Sequence, residues 1–287
     1  MPSMESAANE FAVSADGIRI AWQRHGSGEP VSLFVPTWNL VDSRVVRHQV
    51  AFLSPRATVL TYDPRGAGAS DRPAKGYDFP MHAADALAVL DAAGVERASI
   101  VTASRGFDSA VLVASAHPER VERLVAIAPY VQFEASADDR FWTIDEIREA
   151  RDLFSAFGWR TAWPAFARAF MERVFSEPNS EETIRELVEI ALDASPEILI
   201  TQERELEWAA IPPLLASVMA PTLVIHGDGD LSVPVSLAQR IVDAMPDARL
   251  HVLPGAGHRP DIRTPERLNP LLTDYLLAGQ ASVTPRA

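Results

Sequence analysis

Six short apolar runs, separated by segments with helical periodicity, constrain the fold of this chain most strongly. The runs lack the apolar–polar alternation of a half-solvated strand, and strands buried on both faces of a parallel sheet have this pattern. They cover residues 31–35, 58–62, 98–102, 124–127, 222–226 and 249–253. Helix-period segments follow several of them, at 81–93, 107–116 and 237–244. Repetition of strand, helix and strand predicts an α/β layered domain.

Two shorter segments precede the first run. Residues 11–13 and 18–24 alternate between apolar and polar positions, and Asp16-Gly17 between them is a tight-turn dipeptide. This pattern predicts an antiparallel hairpin ahead of the parallel strands.

The segment 132–218 departs from the strand and helix rhythm. It contains helical patterns and no run typical of a buried strand. Its aromatic residues include Trp142, Phe154, Trp159, Trp163, Phe166, Phe170 and Trp208. We therefore interpret residues 1–131 and 219–287 as two parts of one core, and 132–218 as a helical cap over the carboxyl ends of the strands, where open α/β sheets bind ligands. The aromatic residues either form the core of this cap or line an apolar pocket.

Composition and charge exclude several classes of protein. The 287 residues contain no cysteine, which excludes disulfides, thiolate nucleophiles and cysteine metal sites. A formal charge of −13 without a basic cluster argues against nucleic-acid binding. No apolar stretch approaches the roughly 18 residues of a membrane span, and the first residues lack a signal-peptide pattern. We expect a cytoplasmic protein with a small-molecule substrate and no nucleic-acid or membrane partner. We also expect no metal or other cofactor, and the sequence leaves room for a homo-oligomer.

Ser104 lies between a predicted strand and a predicted helix, in the sequence TASRG from 102 to 106. A serine in this position sits on a tight turn above the sheet, where the helix N-terminus and the next backbone N–H stabilise negative charge. Gly106 is the small residue that such a turn needs, whereas Thr102 stands at the first glycine of the G-x-S-x-G pattern. Ser104 is therefore a candidate nucleophile, and helix capping is its alternative role.

Two further candidates follow predicted strands. Asp230 comes after the run 222–226, and we prefer it to Asp228 because it follows the turn and can point back across the strand ends. His258 comes after the run 249–253, at the end of the sequence GAGH. Serine is a weak nucleophile that needs a base oriented by a third group, and these side chains have the required types. Of the seven histidines, His226 is interpreted as a packing residue, and the others lack the context of His258.

The motifs together resemble the α/β-hydrolase superfamily, from Ile18 to about Leu276. The order serine, aspartate, histidine is the one that this class uses, and the segment YDPRGAGASD at 62–71 is similar to its D-x-R-G-x-G-x-S turn. The resemblance implies the α/β-hydrolase fold, a mostly parallel sheet flanked by helices with a helical cap insertion. In the family this turn is structural, so Asp63 and Arg65 are not assigned a catalytic role.

The resemblance also implies an oxyanion hole. The family usually has His-Gly after its third strand, and this chain has Pro36-Thr37 there, followed by Trp38. By position, the backbone N–H groups of Trp38 and Arg105 would be the two donors. The candidate substrate-binding residues are Thr37, Asn39, Tyr130, Trp142 and Arg259.

We therefore expect a serine hydrolase that cleaves a carboxylic ester or related acyl bond of a small apolar or aromatic substrate through an acyl-enzyme. Two alternatives stay open. One is a non-hydrolytic or carbon–carbon-cleaving enzyme of the same fold in a natural-product or catabolic pathway. The other is a ligand-binding protein with decayed catalysis, which Thr102 and the altered oxyanion loop favour and the retained Ser104, Asp230 and His258 disfavour.

Overall fold

An eight-stranded sheet forms the centre of the computed structural model, which describes residues 9–133 and 153–278. The strands are β1 Glu10–Val13, β2 Arg19–His25, β3 Val31–Val35, β4 Thr58–Tyr62, β5 Ala98–Ala103, β6 Val121–Ile127, β7 Thr222–Gly227 and β8 Ala248–Leu253. Their order across the sheet is β1-β2-β4-β3-β5-β6-β7-β8. β1 and β2 are antiparallel to their neighbours and every later pair is parallel. The predicted mostly parallel sheet, with an antiparallel hairpin at one edge, is confirmed.

Strand burial explains most of the sequence pattern. Every residue of β3, β4, β5 and β7 is buried, as the lack of alternation in these runs predicts. The same interpretation is wrong for β8, where only Leu253 is buried. β8 is the last strand of the sheet, so one of its edges has no neighbouring strand.

Ten helices accompany the sheet in the described residues. They are α1 Arg47–Leu53, α2 Phe79–Ala92, α3 Gly106–Ala116, α4 Ala156–Thr161, α5 Trp163–Val174, α6 Glu181–Leu192, α7 Pro196–Glu205, α8 Val235–Ala244, α9 Pro260–Arg263 and α10 Pro265–Leu276. Side chains of α2, α3 and α8 form one apolar cluster with the sheet, and side chains of α1 and α10 form another. Because alternate residues of the same strands belong to the two clusters, helices cover both faces of the sheet. None of the described helices is long and apolar enough to cross a bilayer.

The described chain between β6 and β7 contains helices and no strand. Residues 153–218 contain α4 to α7 and short 3-10 turns, and no strand is present within this range. Aromatic side chains of α4 and α5 pack together with Trp38, which comes from the loop after β3. The helical insertion thus shares an apolar cluster with the loop after β3, while its limits at 132 and 218 stay a prediction.

The turn after β4 is held by buried ionic contacts. The fully buried Arg65 donates to Asp85 on α2 through Nε and Nη2, both at 2.7 Å, and to Asp16 through Nη1 at 2.9 Å. The carboxylate of Asp63 accepts the N–H of Ala69 at 2.8 Å. These contacts agree with the structural role expected for Asp63 and Arg65.

Arg65→Met is expected to lower the free energy of unfolding by about 3–5 kcal/mol, because it leaves the carboxylate of Asp85 buried without its cation. Urea denaturation measures the loss. Arg19→Met is the matched control. Its ion pair with Asp71 is largely exposed, with 59% of the Arg19 side chain accessible, so its removal should change stability far less. Equal losses in the two variants would contradict the assignment.

Candidate active site

Ser104 occupies a sharp turn between β5 and α3. Its φ of 50° lies in the left-handed region that non-glycine residues seldom adopt. The Ser104 N–H donates to the carbonyl of Ile127 at 2.9 Å, and its carbonyl accepts from Phe107 at 3.2 Å. β6 and α3 therefore hold this strained conformation, which is a frequent feature of functional sites.

Gly106 allows the turn to pack against the loop after β3. A Cβ at this position would lie 2.3 Å from the carbonyl oxygen of Pro36 and 2.3 Å from Thr102 Oγ1. Thr102 donates its hydroxyl to the carbonyl of Val35 at 3.2 Å. The threonine at the first glycine position is accommodated because Gly106 leaves space for its hydroxyl, and it links β5 to the end of β3.

The three predicted catalytic side chains come together at the carboxyl end of the sheet. His258 Nε2 lies 3.1 Å from Ser104 Oγ, and His258 Nδ1 lies 2.7 Å from Asp230 Oδ2. All three side chains are buried. Asp228 instead accepts the N–H of Gly255 at 2.5 Å. The distances are those of a nucleophile, its base and an orienting carboxylate, and the preference for Asp230 over Asp228 agrees with them.

The surroundings of Asp230 favour its ionised form. Burial raises the pKa of this carboxyl, but the neighbouring His258 and the hydrogen bonds from His226, His258 and Val233 outweigh burial, so its pKa lies well below the ordinary value. Oδ1 accepts the N–H groups of Ser232 at 2.7 Å and Val233 at 2.9 Å. Asp230 is therefore an anion at neutral pH and can hold a proton on His258 Nδ1.

His226 is a second imidazole beside this carboxylate. Its Nε2 lies 3.2 Å from Asp230 Oδ2 and 2.9 Å from the carbonyl oxygen of Val233. Both neighbours are acceptors, so Nε2 carries the hydrogen. Interpretation of His226 as a packing residue missed its contact with Asp230. The available signal was its position four residues before Asp230, near the end of β7.

The predicted oxyanion donors have free backbone groups. Within the described ranges 9–133 and 153–278, the N–H groups of Trp38 and Arg105 have no hydrogen-bond acceptor. Backbone N–H groups without a protein acceptor are available to a developing oxyanion, which is the role that the resemblance implies for these two.

A cavity of about 40 Å³ opens beside Ser104 and His258. Its walls are largely apolar side chains of the loop after β3 and of the insertion, namely Leu40, Val41, Phe170, Met171, Val174, Phe175 and Leu187. Thr37 and Arg259 line the same cavity. The buried guanidinium of Arg259 donates to Asp261 through Nε at 2.9 Å and Nη2 at 2.7 Å, so its charge is balanced.

The other predicted substrate-binding residues lie elsewhere. Asn39 is buried, accepts from Gln202 at 2.9 Å and donates to the carbonyl of Arg65. Tyr130 packs edge to face against Trp208, with 5.6 Å between ring centroids. Trp142 lies outside the described residues. The described residues contain no group of three His, Cys, Asp or Glu side chains placed to hold a metal ion.

Comparisons with known proteins show the family of this chain. A family model described as alpha/beta hydrolase fold matches residues 33–260. The chain belongs to the α/β-hydrolase family. It is 27% identical over 268 residues to a putative non-heme chloroperoxidase from Synechocystis, covering 90% of this chain and 95% of that protein. It is 28% identical over 269 residues to a 2-hydroxymuconate semialdehyde hydrolase from Pseudomonas, with 90% and 87% covered.

A solved structure shares the fold of this chain. The esterase EaEST from Exiguobacterium antarcticum superposes with a TM-score of 0.83 at 22% identity, covering 94% of this chain and all of that chain. At this identity the likeness concerns the fold alone.

Behind the loop after β3, His82 lines a smaller cavity of about 10 Å³ together with Pro36, Thr37 and Gln202. His82 Nε2 lies 3.3 Å from Gln202 Nε2 and so accepts its hydrogen when neutral. Burial lowers the pKa of His82 to about 4 from the ordinary 6.5.

His82→Gln is expected to make stability less sensitive to acid. Between about pH 6.5 and pH 4 the unfolded wild type binds a proton at His82 that the folded wild type does not, so its stability falls as pH falls through this window. The unfolding free energy of wild type should therefore fall more than that of the variant between pH 6.5 and pH 4. Urea denaturation at several pH values measures both. His117→Gln, at an exposed histidine, is the control. An identical pH dependence in wild type and His82→Gln would refute this prediction.

Proposed function

We propose that this chain is a serine hydrolase that cleaves a carboxylic ester or a related acyl bond of a small, uncharged, apolar substrate. The observation that carries the proposal is the chain of contacts from Ser104 Oγ to His258 at 3.1 Å and from His258 to Asp230 at 2.7 Å. Membership of a hydrolase family supports it.

In the proposed acylation step, Ser104 Oγ attacks the acyl carbon while His258 Nε2 takes the hydroxyl proton. Asp230 accepts the Nδ1–H bond and stabilises the imidazolium. The oxyanion accepts from the N–H groups of Trp38 and Arg105. When the intermediate collapses, His258 protonates the departing oxygen, leaving an ester on Ser104.

Deacylation repeats these roles with water as the nucleophile. His258 takes a proton from water as the oxygen attacks the acyl carbon, and the same N–H groups stabilise the second oxyanion. His258 then returns the proton to Ser104 Oγ as the acid is released. Each cycle consumes one ester and one water and gives one acid and one alcohol.

The walls of the cavity support an uncharged substrate. They are mainly apolar, and Arg259 is neutralised by Asp261 through two hydrogen bonds. A carboxylate on the acyl chain would lose its hydration here without gaining an unpaired cation, which is unfavourable. The aromatic and aliphatic side chains of α5 instead favour an aliphatic or ring-bearing acyl group.

Ser104→Ala is expected to abolish turnover of a p-nitrophenyl ester and labelling by a fluorophosphonate probe, because the attacking oxygen is removed. Ser115→Ala, at the other end of α3, should keep both. Circular dichroism of the two variants checks that each is folded. Undiminished turnover in Ser104→Ala would rule out this residue as the nucleophile. Folded wild type that neither labels nor turns over any ester would favour a ligand-binding protein instead.

Substrate charge provides a separate prediction. Wild type is expected to have a kcat/KM at least about 10-fold higher for p-nitrophenyl butyrate than for p-nitrophenyl hemisuccinate, which has a similar length and a terminal carboxylate. Initial rates over a range of both esters measure this ratio. A preference for the hemisuccinate would assign Arg259 a role in binding anions and overturn the neutral substrate class.

The similarity to a 2-hydroxymuconate semialdehyde hydrolase supports a second assay, with 2-hydroxymuconate semialdehyde as the substrate. Cleavage of this compound without cleavage of any ester would change the bond assigned to the site and leave Ser104, His258 and Asp230 as its proposed residues.

A further inference from the structure

The side chain of Trp38 packs against the helical insertion. Its ring packs edge to face on Trp159, with centroids 6.0 Å apart, and on Phe170, with centroids 5.1 Å apart. Among the described residues, the apolar cluster that contains Trp38 is built mainly by side chains of α4 to α7. The backbone N–H proposed to stabilise the oxyanion is therefore positioned by a ring anchored in the insertion.

The side chain of Arg105 is held by the same part of the chain. Its guanidinium carbon lies 4.5 Å from the ring centroid of Trp38 and 4.8 Å from that of Trp208. Nη1 also forms an ion pair with Glu203 on α7. A planar guanidinium can stack on aromatic faces while its edge binds a carboxylate, a combination that an ammonium does not reproduce. Arg105 thus joins the two predicted oxyanion donors to each other and to α7.

A second contact from α7 reaches the same loop. Gln202, the residue before Glu203, is 4% exposed and donates to Asn39 at 2.9 Å. Asn39 directly follows Trp38 and donates to the carbonyl of Arg65. Two consecutive residues of α7 therefore contact Arg105, which is one proposed donor, and Asn39, which directly follows the other.

We infer that Arg105 is a positioning residue, which together with Glu203 and Trp208 aligns the backbone N–H groups of Trp38 and Arg105. Docking of the insertion on the core thereby completes the oxyanion hole. This inference rests on the proposed function. Loss of the contacts should weaken transition-state stabilisation selectively, because substrate binding depends mainly on the apolar walls beside Ser104.

Arg105→Met tests the inference through two readouts. Removing the guanidinium leaves both backbone N–H groups present but no longer fixes their direction. The kcat for p-nitrophenyl butyrate should therefore fall by about 10- to 100-fold, while KM changes by less than about 2-fold. A trifluoromethyl ketone forms a tetrahedral adduct with the nucleophile and places an oxyanion in the hole. Its inhibition constant should rise by about the same factor as kcat falls.

Arg105→Lys and Glu203→Gln separate alignment from charge. Lysine keeps the positive charge but not the planar stack, so it should lose most of the activity that Arg105→Met loses. Glu203→Gln keeps Arg105 and removes the ionic contact, so a smaller fall in kcat is expected, again without a matching change in KM. Glu203→Gln also provides the test if Arg105→Met does not fold.

Arg160→Met is the matched control, because it removes another arginine–glutamate pair of the insertion, the exposed contact with Glu197 on α7. Its kcat and inhibition constant should equal those of wild type. Folded Arg105→Met with wild-type kcat and inhibition constant, or Arg105→Lys with wild-type activity, would overturn the inference while the proposed function stands. Wild type without turnover and without probe labelling would overturn the proposed function and the inference together.

Discussion

The register of four parallel strands is the constraint on which the site depends. The register pairs Ala103 of β5 with Ile127 of β6, Ile127 with Ile225 of β7, and Ile225 with His251 of β8. β5 and β6 end at these positions and β7 and β8 end two residues later, so the residues that follow all four strands leave the sheet on its carboxyl side. Three side chains distant in the chain can therefore meet without long excursions of backbone. A slip of one residue would turn the affected strand's side chains to the opposite face and break this convergence.

Each of three buried charged side chains is surrounded by groups that compensate its charge. Asp230 has two imidazoles and two backbone N–H groups around it, whereas Arg65 is paired with Asp85 and Arg259 with Asp261. A buried charge that lacked such partners would be very costly. The three clusters have different consequences, since the pairs of Arg65 and Arg259 neutralise their cations while the Asp230 cluster keeps an anion beside an imidazole.

The sequence was most informative where chemistry depends on strand order. Ser104, Asp230 and His258 each follow an apolar run, so their convergence could be predicted from parallel topology and a familiar order of residue types. Burial of β8 was predicted wrongly because an apolar run does not reveal which strand lies at an edge. The contact of His226 with Asp230 was missed because a histidine that ends a strand has the same local pattern whether it packs or donates.

Contacts between distant segments were beyond sequence reasoning for a different reason. Gln202 and Asn39 are 163 positions apart, and Arg105 and Glu203 are 98 apart. Neither pair belongs to a repeating pattern, and a guanidinium between two indoles depends on ring orientations that periodicity does not encode. Thr37 and Arg259 line the cavity, while Asn39 supports the loop from behind. Neighbouring positions in sequence thus have unrelated surroundings.

The crowded turn at Ser104 has a consequence for how such chains are recognised. Residue 106 faces a backbone carbonyl and a hydroxyl, each 2.3 Å from where a methyl group would stand, so only hydrogen fits there. Residue 102 faces the space thereby left open and accommodates a hydroxyl and a methyl. The two glycine positions of the signature thus differ in this chain: the later one, residue 106, has no room for a side chain, whereas the earlier one, residue 102, accommodates threonine. A search pattern that requires glycine at both positions will overlook relatives that keep the same turn at the nucleophile.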